Sequence, residues 1–166
     1  EFRRVLFRST QTHRTLYLSI VRCHLSYATQ VWSPQSIGLL KRVENVQRRA
    51  TKLMLKLPFR CDVTYKTLQL THLLPISYWH EFLDTVFFYK AVNNLVFIDS
   101  KALPVSRQFT RSTRSSSSSA ITYIPKRSRT VTYRRSFFIR VCRTWNVLPT
   151  ELRTNHIFLA SFKSLL

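Results

Sequence analysis

Six cationic side chains, Lys41, Arg42, Arg48, Arg49, Lys52 and Lys56, recur along the stretch Leu39 to Leu57, LLKRVENVQRRATKLMLKL. At about 100° per residue they share one arc of a helix, opposite the apolar positions Leu39, Val43, Val46, Ala50, Leu53 and Leu57. Guanidinium forks and ammonium groups in such a row suit phosphate oxygens, which they hold by charge and hydrogen bonds without reading base sequence. The spacing predicts a phosphate-binding face backed by a core-facing stripe. Arg127, Arg129, Arg134 and Arg135 are further candidate contacts, and a merely solvated basic face is the alternative.

Other chemistries find less support. Metal-dependent polymerases and nucleases need clustered carboxylates around divalent ions, whereas this chain has 7 Asp and Glu against 27 Lys and Arg. Glu81 and Asp84 form the one close acidic pair on a predicted helix, and they read as a solvated face. His13, His24, His72, His80 and His156 never fall at zinc-ligand spacing, and Cys23-His24 points to two sides of a helix, so no metal site is predicted. Cys61 beside Asp62 has no base and orienting group nearby, which makes it an incidental thiol. A single glycine, Gly38, rules out Gly-rich phosphate loops. Trp79, Phe82, Phe87 and Phe88 read as core, while Tyr123 and Tyr133 are the better candidates for stacking on bases.

The elements that would position these groups are mainly helices. Leu16, Ile20, Val21, Leu25, Ala28 and Val31 carry a helical period from about His13 to Trp32, and Ser33-Pro34 disfavours continuation. After the turn Pro34 to Gly38 comes the basic helix, closed by Leu57-Pro58, and the pair makes a helical hairpin. Asp62 is placed to cap a short helix to about Thr71, and Pro75 to open a longer one. There Ile76, Trp79, Phe82, Leu83, Val86 and Phe87 share an arc, with Asn93-Asn94 as the stop. Ala120 to Ile124 and Thr130 to Tyr133 alternate as two short strands around the turn Pro125 to Arg129. A helix over Phe137 to Val147 and a last one from about Phe158 complete a mostly α fold, a helical bundle with a small basic β-hairpin in its C-terminal part.

The chain has 166 residues, 45% hydrophobic, enough to bury a core, and a formal net charge of +20 that favours a polyanionic partner. Nucleic acid is the first candidate and an acidic membrane surface the second. With no run long and apolar enough to span a bilayer and no signal-peptide core, neither insertion nor secretion is expected. Three scattered cysteines give no disulfide framework and suit a reducing compartment. The chain starts at Glu1 without an initiator Met, and EFRRVLFRS reads as translated adapter sequence, so a piece of something longer is expected. The organisation predicted is a leader over 1–9, a helical domain over 10–97, a basic Ser-rich linker over 98–119 containing RSTRSSSSS, and a C-terminal extension over 120–166.

The blocks LYLSIVRCHLSYATQVWSP and LLKRVENVQRRATKLMLKLP, then LLPISYWHEFLDTVFFYKAVNN, RTVTYRRSFFIRVCRTWNVLP and Ser161-Phe162-Lys163, occur in this order over residues 14–166. Together they resemble the region downstream of the palm in reverse transcriptases of non-LTR (LINE-type) retrotransposons. The resemblance implies a thumb and C-terminal segment that grips template–primer duplex beside a catalytic palm. It implies nucleic acid and the missing palm and fingers as partners, no membrane, and an intracellular location in the nucleus or a cytoplasmic ribonucleoprotein. The family's Tyr-X-Asp-Asp turn has no counterpart here, so no catalytic residue carries over, no cofactor is expected in this segment, and magnesium belongs to the absent palm. Such a piece of an RNA-directed DNA polymerase is expected to be inactive alone. A free-standing basic RNA- or DNA-binding module and a non-functional retroelement remnant are the rival readings.

Overall fold

Ser9 opens the first helix by accepting the Thr12 N–H on its hydroxyl at 3.1 Å. A computed structural model describes residues 9–99, 101–107, 121–153 and 158–166; the expected leader, save Ser9, and the Ser-rich run Arg111 to Ser119 lie outside them. Two compact units divide the chain, Glu1–His80 and Glu81–Leu166.

In the first unit, α1 (Thr10–Leu16) passes into a π-helical stretch, Tyr17–Arg22, and then α2 (Cys23–Ser26). One continuous helix to Trp32 was the expectation from periodicity. The chain instead leaves the helix at Tyr27, which is extended, and at Ala28, which is left-handed at φ 51°, before α3 (Thr29–Trp32). The break frees polar groups that tertiary partners take up: His80 Nε2 bonds the Leu25 carbonyl at 2.8 Å, and the Trp79 indole donates to Ser26 Oγ at 2.8 Å. Ser33 before Pro34 ends α3, as predicted.

Helix α4 (Ile37–Met54) forms where the amphipathic pattern places it, but it is turned. The buried residues are Gln47, Thr51 and Met54, with Leu40, Val43, Glu44 and Ala50 half-buried. Leu39, Val46 and Leu53, expected to face the core, are 51%, 39% and 64% exposed. That amounts to a rotation of roughly 90° about the axis at 100° per residue. Two hydrogen bonds hold it, because Gln47 accepts the Tyr17 hydroxyl at 3.1 Å and donates to the Leu74 carbonyl at 2.8 Å. Lys56, at φ 53°, lies past the helix end, and the Leu57 N–H closes on the Lys52 carbonyl at 2.9 Å.

The short helix α5 (Tyr65–Leu70) starts after Thr64, so Asp62 is not its cap. Tyr17, Met54, Leu68 and Leu73 form the core of this unit, with Leu18, Val21, Ala50 and Val63 packed against it. Helix α6 (Ile76–Val92) follows Pro75, and its first N–H, that of Ile76, is capped from across the unit by Glu44 Oε2 at 2.9 Å. Asn94, left-handed at φ 56°, marks its stop, with the Leu95 N–H on the Lys90 carbonyl at 2.9 Å.

In the second unit, β1 (Val105–Arg107) pairs antiparallel with β2 (Thr122–Ile124), Ser106 opposite Tyr123. The expected strand over Thr130 to Tyr133 is instead a one-turn helix, α7 (Val131–Arg134), because Thr130 caps it by accepting the Tyr133 N–H at 3.2 Å. Asn146, on α8 (Phe137–Val147), takes the place of a second neighbouring strand: it accepts from the Tyr123 N–H at 3.1 Å and donates to the Tyr123 carbonyl at 2.9 Å. A 3-10 turn, Thr150–Arg153, and α9 (Leu159–Leu165) close the unit. Its core is aromatic. Phe88 meets Tyr123 and Trp145 edge-on at 5.0 and 5.3 Å, and Tyr89 stacks on Phe162 at 4.3 Å. The fold is therefore mostly α with a small antiparallel pair, as the sequence predicted.

Candidate nucleic-acid interface

Because α4 buries Gln47 and Thr51, its opposite side faces solvent and carries the cations. They fall in two rows. Lys41 and Arg48, with Asn45 between them, make one wall of a groove, and Lys52 continues their row beyond it; Arg42 and Arg49 lie further round, beside Val46, and Lys56 follows the helix end.

The groove has a volume of about 490 Å³, and its far wall is built from Val63, Thr64, Tyr65, Pro75 and Ser77. A smaller recess of about 180 Å³ adjoins it, between Arg48, Arg49 and Lys52 on one side and Phe59 and Asp62 on the other. Arg48 lines both. Lys52 is held more firmly than its neighbours: its ammonium donates to the Phe59 carbonyl at 2.6 Å and sits 5.4 Å from the centre of the Phe59 ring. Glu44, the one carboxylate of α4, also lines this groove and accepts the Ile76 N–H, so the wall carries one anion beside its cations. Asn45, Tyr65 and Ser77 were not singled out from sequence. Asn45 shares the Lys41–Arg48 line and could have been, while Tyr65 and Ser77 reach the groove only through tertiary packing.

In the second unit, Arg127 and Arg129 lie in the irregular segment after β2, Arg134 ends α7 and Arg135 caps it; all four are exposed. Arg127 and Arg129, expected in the turn between two strands, instead lie in a segment that leads into a helical turn. Of the two stacking candidates, Tyr123 is in the core, where burial pushes its hydroxyl up to about 12, and Tyr133 is exposed. Asp84 departs from its expected solvated place. It is buried and paired with Arg140 at 2.5 Å, whereas Glu81 is exposed.

Arg22 is basic yet only 8% exposed, with its guanidinium 4.5 Å from the centre of the Trp79 ring. Desolvation lowers its pKa, and its Nε has no hydrogen-bond partner, which makes it a packing group rather than a phosphate contact. Among the described residues no three His, Cys, Asp or Glu side chains gather into a group that could hold a metal ion, and no helix is long and apolar enough to cross a membrane. Compared with protein-family models, curated proteins and solved structures, the chain matches none.

Proposed function

We propose that this chain is the thumb and C-terminal segment of a non-LTR retrotransposon reverse transcriptase, and that it grips template–primer duplex through phosphate contacts. The observation that carries the reading is the cationic side of α4, where Lys41 and Arg48 wall a groove and Arg48, Arg49 and Lys52 wall the recess adjoining it, on a chain of net charge +20. Phosphates provide the affinity in such an arrangement, and each neutralised charge releases counterions. Arg127, Arg129, Arg134 and Arg135 add a second set of contacts in the other unit. The segment binds without regard to base sequence and is inactive alone, since chemistry and magnesium belong to the palm. Its place is intracellular, in the nucleus or a cytoplasmic ribonucleoprotein.

The test is binding of the chain to an RNA–DNA duplex across a salt series, beside a variant with Lys41, Arg48 and Lys52 changed to Ala. Affinity should fall with salt, and the variant should lose affinity and about one unit of logarithmic salt slope per lost contact. Equal affinity and slope in parent and variant would remove the groove from the interface.

A further inference from the structure

The rotation of α4 leaves Leu39, Val46 and Leu53 exposed in one line, with Val43 and Ala50 half-buried between them. Their steps of 4, 3, 4 and 3 are the spacing of a helix–helix seam, and the line runs for about 21 Å at 1.5 Å per residue. Scattered surface leucines need no explanation, but a continuous seam in register does.

Its two borders differ. On the inner side stand Leu40, Gln47 and Met54, which already pack into the first unit. On the outer side stand Arg42 and Arg49, each three residues after a seam residue, where flanking charges select a partner. A second copy fits poorly. Antiparallel pairing would set Arg42 and Arg49 against their own equivalents, and parallel pairing would set them against inner positions that the fold has already buried. Nucleic acid supplies the anions but no aliphatic row to cover Leu39, Val46 and Leu53.

We infer that this face of α4 docks an amphipathic helix of another protein segment, one with apolar residues at the same 3–4 spacing and acidic residues along the edge that meets Arg42 and Arg49. Knobs from that helix cover the seam, and its carboxylates pair with the two guanidiniums. The inference rests on the exposed seam and its one-sided charge and does not require the nucleic-acid reading. Lys41, Arg48 and Lys52 then face the groove and its adjoining recess, Arg42 flanks the seam, and Arg49 borders both the recess and the seam.

The whole 166-residue chain is titrated into three fluorescein-labelled synthetic peptides, each three heptads long, and anisotropy is read. One has Leu on the seam and Glu on its flanks, one replaces the Glu by Lys, and one scrambles the first so that the 3–4 spacing is lost. The Glu peptide should bind at least about tenfold tighter than either control, a difference of about 1.4 kcal/mol. Val46→Asp should abolish that advantage while helical content and melting stay unchanged. Arg42→Glu with Arg49→Glu should reverse the preference toward the Lys peptide, which keeps the test open should Val46→Asp unfold. Equal binding of the scrambled peptide, or no reversal by the charge swap, would overturn the inference. So would a dimer in sedimentation that Val46→Asp dissolves.

Discussion

Tyr17 and Gln47 form a buried hydrogen bond, hydroxyl to amide oxygen at 3.1 Å, which fixes the rotational setting of α4. The amide nitrogen completes the link by donating to the Leu74 carbonyl. Tyr17→Phe keeps the ring and removes the donor, leaving Gln47 Oε1 buried and unpaired. Urea denaturation at neutral pH should show a loss of about 1–2 kcal/mol. An unchanged midpoint would mean that the rotation of α4 rests on shape alone.

The same hydroxyl sets an alkaline limit. Burial raises Tyr17 from 10.0 to about 12 and Tyr123 likewise, and raises Cys142 from 9.0 to about 11. Below about pH 8 all three are protonated in folded and unfolded states alike, so their contribution is fully present. As pH rises toward 12, the unfolded groups release protons that the folded ones retain, and stability is lost. A series of melts from pH 8 to 12 should show this decline, beginning near the unfolded thiol and steepening near the unfolded tyrosines. Tyr17→Phe should flatten its upper part.

Asp84 and Arg140 join α6 to α8 inside the second unit, with the carboxylate side chain 5% exposed and the guanidinium side chain 20%. Asp84→Asn preserves size but leaves Arg140 without its counter-charge, and breaking a pair this buried costs about 3 kcal/mol. Thermal unfolding checks this. Arg140→Met together with Asp84→Asn should recover part of the loss, since the stranded cation is then gone.

The long helices α4, α6 and α8 were legible because apolar period, Pro75 and Asn93-Asn94 act locally, although α4 ends at Met54, short of the Leu57-Pro58 expected to close it. The setting of α4 was not. A stripe rule ranks Val46 and Leu53 as core and Gln47 and Thr51 as surface, and nothing local announces that Tyr17 and Leu74 will supply Gln47 with both partners. The burial of Asp84 is hidden from the sequence for the same reason, its counter-ion lying 56 positions away. The strand at Thr130 to Tyr133 lost to a side-chain cap, since Thr130 has the β-propensity that suggested a strand and the hydroxyl that starts a helix. The cationic side of α4 was legible because Lys41, Arg42, Arg48, Arg49 and Lys52 share one arc without tertiary information, whereas Lys56 falls past the helix end and the placing of groove and seam on either side of that arc required the rotation.

The three thiols report on different regions. Cys23 is exposed, Cys61 half-buried and Cys142 buried, with its pKa raised by burial. A disulfide reagent at pH 8 should modify Cys23 first and Cys61 more slowly. Cys142 should react only at the rate at which the second unit opens. Adding denaturant should speed Cys142 most, Cys61 less and Cys23 least. Fast labelling of Cys142 without denaturant would show that α8 is not packed as described.

Arg48 and Lys52 occupy the same row, yet their surroundings predict different phenotypes. Arg48 lines both recesses, and among the described residues no protein acceptor is hydrogen-bonded to it. Arg48→Ala should therefore reduce duplex affinity and lower the salt slope by about one, with no measurable loss of stability. Lys52 already donates to the Phe59 carbonyl and lies over the Phe59 ring, so a phosphate must compete for it. Lys52→Ala should change the slope by less than half as much, and instead loosen the turn after α4 by about 0.5–1 kcal/mol, the range of an exposed cation–π contact. Duplex titrations at several salt concentrations and urea melts on the two variants separate these effects. If Lys52→Ala matched Arg48→Ala in slope, the Phe59 contact would be too weak to withhold Lys52 from the duplex.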